Sequence, residues 1–381
     1  MHLLWGGTPE NGVTAQEDTA ATTIPFEGTT ITKGGNYEIP EGKYAGNITV
    51  NLTDTSEPVN IAIKGGITYN GTQQVMFINV KNADEVTITN DGHEVNCKPS
   101  DAHFLDVSSG NVTVNGGTYV TATRNVVMAY AGTTTLNDMT TETSGYAVTS
   151  SGSAKVVVNR GTHTHSNTNQ NRANFWIFNG GHMTLNDVTA TSEEAVIINS
   201  DGTVNVNGGK FQTTGTKSCF VNNSANLTID KGITTDGTFE SKSASCIDNN
   251  WGQVRINGGS FTTDARIAVK NCGGLREAPN GTAIDISGES GDVQLNGGTI
   301  RNSVTGVRVA DAGDSEIDLK AVTFENNTDD ISLGNDQQIN IKKSFVGTAK
   351  IRVDDPARGR QITTDNEDSP YQKKLNLVSR N

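Results

Sequence analysis

Asp285 and Asp292 stand seven residues apart in A-I-D-I-S-G-E-S-G-D-V-Q-L, separated by a glycine-rich corner. Strand alternation places Ile284 and Ile286 inward and leaves Asp285 outward. Two carboxylates brought together by such a corner could serve as general acid and nucleophile. A retaining glycosidase holds such a pair about 5–5.5 Å apart. Asp248 and Arg308 fall at the equivalent place of the neighbouring repeats, so Asp285 is expected beside Asp248. The segment Asn271–Gly281, N-C-G-G-L-R-E-A-P-N-G, adds Arg276 and Glu277 as substrate contacts. Trp176 and Trp251 offer indole rings on which a sugar could stack.

The elements that would position these residues repeat. Asn111–Val120 reads N-V-T-V-N-G-G-T-Y-V: two branched apolar residues alternate with polar ones, then Asn-Gly-Gly turns the chain. The phrase recurs as V-V-V-N-R-G, M-T-L-N-D, V-N-V-N-G-G, V-R-I-N-G-G and V-Q-L-N-G-G, with fainter copies on both sides. Counted on its asparagine, most steps are 21 to 24 residues, two are 27 and one is 39. A period of this size marks a solenoid whose coils bury their apolar faces against one another. A second phrase precedes each first one (H-F-L-D-V, F-W-I-F, A-V-I-I, C-F-V-N, C-I-D-N, A-I-D-I, G-V-R-V). A third short strand follows the corner, as in Thr118-Tyr119 and Lys210-Phe211. No window has helical spacing. The expected fold is all-β: a single right-handed parallel β-helix solenoid of about 11–13 coils with three short strands per coil. Residues 1–45 read as an N-terminal lead-in and cap, 46–350 as the β-helix, and 351–381 as a C-terminal cap or tail.

Asparagines 115, 137, 159, 186, 207, 257 and 296 should form a structural ladder at one bend. Tyr119, Phe211, Phe261 and Phe324 should form a core column. His163 and His165 share one strand face; lacking an acidic third ligand, they read as surface residues rather than a metal pair. Cys219 and Cys246 occupy the same place in successive coils and read as buried small residues. No C-x-x-C pair indicates zinc. No calcium motif is complete, and no cofactor is expected.

The V-x-V-N-G-G turns, the asparagine ladder and the period near 22 resemble the right-handed parallel β-helix (pectate-lyase-like) superfamily from about Ile61 to Val346. The resemblance implies a solenoid of the kind used by polysaccharide lyases, glycoside hydrolases, phage tailspikes and surface adhesins. Polygalacturonase-type motifs are not reproduced: Gly92-His93-Glu94 and Gly181-His182-Met183 break the Gly-His-Gly element, and Asp329-Asp330 falls too late.

The net charge of −13 argues against a nucleic-acid partner and against strongly anionic polymers. No apolar run reaches the ~20 residues of a membrane-spanning helix. The opening residues lack the basic and apolar regions of a signal peptide. These features direct attention to an extracellular, cell-surface or virion protein that engages an oligo- or polysaccharide through neutral or amino sugars. It would either cleave the glycan as a hydrolase, less readily as a lyase, or serve without catalysis as an adhesin, display or tailspike-type module. A homotrimer is the expected oligomer if the chain is phage-derived.

Overall fold

The computed structural model describes residues 20–72, 75–167, 172–215, 219–223, 226–230, 238–241, 247–250, 253–256, 260–263, 269–271, 282–286, 293–297, 299–301, 305–309, 317–334, 338–341, 345, 347–353, 362–363 and 375–378. Beyond Val221 several strands are described by backbone pairing alone.

Each coil contributes to two parallel sheets, a first of 24 strands and a second of 16. The first sheet has two arms separated by the Asn-Gly corner; the second carries the H-F-L-D-V-type phrases. Regular coils number about 10. The architecture is a parallel β-solenoid, consistent with the right-handed β-helix.

Register explains why this sequence folds this way. Val59, Val86, Val112, Thr134, Val156, Met183 and Val204 are successive partners on the first arm. Two residues on, Ile61, Ile88, Val114, Leu136, Val158, Leu185 and Val206 make a second column. Both columns point into one continuous core. A one-residue slip would expose both, so the pairing is specified at every coil. Thr134 is the exception in its column: it is fully buried and its hydroxyl has no hydrogen-bond partner. An unpaired buried hydroxyl costs about 1–3 kcal/mol. Thr134→Val should therefore raise stability by about 1–2 kcal/mol, read as a higher urea midpoint.

The asparagine ladder forms from Asn115 to Asn207; Asn257 lies outside the described residues. Each amide donates to the carbonyl oxygen of the asparagine one coil before it, from Asn137 through Asn207, at 2.7 to 2.8 Å. The residue after each ladder asparagine adopts positive φ: Gly116, Asp138, Arg160, Asp187 and Gly208. Glycine, asparagine and aspartate tolerate this best. Arg160 in the same place is held by a two-pronged contact to Asp138, both distances 2.7 Å.

On the second arm, Tyr119, Thr141, His163, Ala190, Phe211, Phe239, Phe261, Ile300 and Phe324 are consecutive partners, which is the expected aromatic column with smaller residues interleaved. His163 occupies an inward place in it, correcting the reading of His163 and His165 as surface residues. Both are buried, at 0% and 1% exposure. The reason is register: Gly161-Thr162-His163 aligns with Gly117-Thr118-Tyr119, so the threonines take the outer face. His163 Nδ1 lies 2.9 Å from Thr141 Oγ1 and its ring meets Phe175 edge-on, while His165 Nδ1 lies 3.0 Å from Ser192 Oγ.

Cys97 and Cys219 are buried, and burial pushes the Cys97 thiol up. Cys246 lies outside the described residues.

Candidate ligand-binding face

The 39-residue step contains a strand that the repeat phrases did not reveal. Val269–Asn271 pairs on one side with Ile247–Asn250 and on the other with Thr282–Ile286, all in the second sheet. The first sheet skips directly from Gln253–Ile256 to Val293–Leu295. One extra strand is thus wedged into the second sheet alone. The register runs Asp248, Lys270, Asp285, Arg308, so Asp248 and Asp285 are not neighbours: Lys270 stands between them. Asp292, Arg276, Glu277 and Trp251 lie outside the described residues.

The same register column extends N-terminally. It reads Asn79, Asp106, Met128, Thr149, Trp176, Ile198, Val221 and then Asp248. Its neighbours along each strand are core residues, for example Leu105 and Val107 around Asp106, so by alternation this column lies on the side of the sheet away from the core, where Asn79, Asp106 and Thr149 are nonetheless buried.

A local irregularity enriches this face. In three coils two consecutive residues reach one carbonyl or one pair of carbonyls of the next coil: Phe104 and Leu105 both donate to Val126 O, and Val196 and Ile197 both donate to Cys219 O. Both members of each pair enter the core. The residue before the pair is thereby turned outward, three positions from the column residue. The resulting pairs are His103 with Asp106, Asn125 with Met128 and Ala195 with Ile198; Tyr146 with Thr149 and Ala173 with Trp176 have the same three-residue spacing. Tyr146, Ala173 and Ala195, packed with Trp176, Ile198 and Val221, form a cluster separate from the main core. A sequence signal for these positions exists: x-h-h-x breaks strict alternation at the start of each second-sheet strand. Taking the apolar pairs simply as core left His103, Asp106, Asn125 and Tyr146 unnoticed.

Trp176 is the centre of the aromatic part. Its indole stacks on Tyr146 (centroids 4.8 Å apart, 23° between planes) and on Phe178 (4.1 Å, 19°). Its Nε1 donates to Ser200 Oγ at 3.2 Å. The Arg172 guanidinium lies 5.3 Å from the Tyr146 ring centre, a cation–π contact. Burial raises the Tyr146 hydroxyl pKa, and Arg172 opposes that. Two coils toward the N-terminus, Asn125 Nδ2 donates to Thr149 Oγ1 at 2.8 Å. Tyr130, exposed, has its pKa raised by partial burial and by the Asp106 carboxylate. The face therefore combines an aromatic stack with amide, carboxylate, imidazole and guanidinium groups along one sheet.

The chain matches no family model, no curated protein and no solved structure. Its function is therefore inferred from the chemistry of this face. Among the described residues no helix is long and apolar enough to cross a membrane.

Proposed function

We propose that this protein is a rigid solenoid that engages a glycan along the outer face of its second sheet, as an extracellular or surface-exposed module. The observation that supports this reading is the Arg172–Tyr146–Trp176–Phe178 stack, set in a face otherwise lined with hydrogen-bonding side chains. Pyranose rings carry apolar C–H patches beside hydroxyls, and a site of aromatic and aliphatic groups with a few placed polar ones meets both. Trp176, Ile198 and Val221 supply the apolar strip over three coils. The column then continues as Asp248, Lys270, Asp285 and Arg308, so a chain laid parallel to the axis would pass from apolar to charged positions. The acidic balance of the protein favours neutral or amino sugars over polyuronates.

In the catalytic form of this reading, Asp285 and Asp292 are the acid/base and nucleophile of a glycoside hydrolase, with Asp248, Arg276, Glu277, Arg308 and Trp251 around the sugar. In the non-catalytic form the rod is an adhesin or display module. The second form draws support from Trp176, whose two ring neighbours engage it within the protein.

An oligosaccharide panel, read by calorimetry for binding and mass spectrometry for cleavage, tests both. Phe178→Ala and Trp176→Ala should each weaken binding by about tenfold, the scale of one aromatic contact. Cleavage abolished by Asp285→Asn and Asp292→Asn establishes the hydrolase. Binding without cleavage, indifferent to those two changes, establishes the module. Failure of the folded protein to bind any sugar, or binding indifferent to both aromatic changes, sinks the proposal.

A further inference from the structure

We infer that Asn79, His103 and Asp106 form a binding site for a small divalent transition-metal ion. Asn79 and Asp106 are register partners on adjacent strands of the second sheet, and His103 is brought beside Asp106 by the paired inward residues Phe104 and Leu105. All three are more than nine-tenths buried, at 9%, 9% and 6% exposure.

Asn79 and Asp106 are adjoining register partners, and His103 and Asp106 are in ion-pair contact. His103 Nδ1 lies 2.8 Å from Asp106 Oδ1, yet neither atom makes a hydrogen bond, and neither does Asn79 Oδ1. Imidazole and carboxylate at that distance normally share a proton along the N–H direction; here the contact is close but makes no hydrogen bond. Three buried polar atoms left unsatisfied on adjoining residues cost about 1–3 kcal/mol apiece. One cation would satisfy all of them at once. No three His, Cys, Asp or Glu residues cluster in this way among the described residues; here an amide oxygen supplies the third donor.

The spacing also selects the ion. Two donors at about 2.1 Å from one metal and at right angles lie about 3.0 Å apart, close to the distance seen. Calcium, with oxygen donors at about 2.4 Å, would need about 3.4 Å. The imidazole nitrogen disfavours magnesium and suits manganese, cobalt or nickel in a six-coordinate setting completed by water or ligand oxygens, and zinc only in that setting, because tetrahedral donors would stand about 3.4 Å apart. The site lies in the same register column as Trp176, three coils away, but none of its donors depends on glycan binding.

The test is titration of the full chain, stripped with chelator, with Mn2+, Co2+ or Zn2+ by calorimetry. One equivalent should bind, and His103→Ala and Asp106→Asn should each weaken that binding by about 100-fold, with Asn79→Ala weakening it by about tenfold. The wild-type melting temperature should rise with saturating metal and that of His103→Ala should not. Circular dichroism of each variant confirms that it is folded. No saturable binding, binding unchanged in the folded variants, or preference for Ca2+ would overturn the inference.

Discussion

Lowering the pH from 7 to 5 should remove about 3 kcal/mol of folding stability through His163 and His165 alone. Burial lowers each imidazole from its ordinary 6.5 to about 4. The unfolded chain therefore takes up protons as pH falls through 6.5, while the folded core resists until about 4. The histidine contribution is fully present above pH 6.5 and is lost as pH drops from 6.5 toward 4. For His163 the full shift corresponds to about 3 kcal/mol, of which nearly 2 kcal/mol falls between pH 7 and 5. His165 is lowered chiefly by burial too, but it is less deeply enclosed and is credited with about 1 kcal/mol over this window. Ordinary carboxylates titrate lower, so this window isolates the histidines. Urea unfolding at pH 7, 6 and 5 should show a falling midpoint, and the His163→Gln/His165→Gln double variant should flatten that fall. An equal fall in the double variant would show that the two rings do not govern acid sensitivity.

The second large effect is at a corner. Gly110 and Gly132 hold equivalent places in successive coils, with φ of +83° and +73°. Their carbonyls accept from Thr133 and Lys155 respectively. A Cβ at Gly132 would lie 1.9 Å from Gly110 O, itself part of that ladder. The coil spacing, set by strand pairing, leaves no room to relieve the contact. Gly132→Ala should cost about 2–5 kcal/mol, combining left-handed strain of about 1–2 with overpacking of about 1–3. Gly92 provides the contrast: its φ is +92°, but an added Cβ meets nothing within 4 Å. Gly92→Ala should cost only about 1–2 kcal/mol, the strain without the collision. Equal losses in the two variants, measured by urea unfolding, would show that close approach between coils contributes nothing.

Much of this molecule was legible in its sequence because a solenoid turns chain distance into spatial distance at a fixed rate. The V-x-V-N phrase told which residues point inward, and a period near 22 told which become neighbours. The asparagine ladder and the Tyr119–Phe324 column followed from those two facts. His163 could have been placed the same way, by laying G-T-H on G-T-Y; its polarity misdirected the reading toward the surface.

Tertiary structure decided what breaks the period. Val269–Asn271 carries no repeat phrase, so only strand pairing showed that Lys270 separates Asp248 from Asp285. The approach of His103 to Asp106 likewise depends on two adjacent backbone N–H groups meeting one carbonyl of the next coil. Such a bulge is set by the fit between coils rather than by the local residues, which alternate well enough to be read as an ordinary strand. Side-chain types and period determined the rod; the contacts between particular coils determined which polar groups were gathered on its outer face.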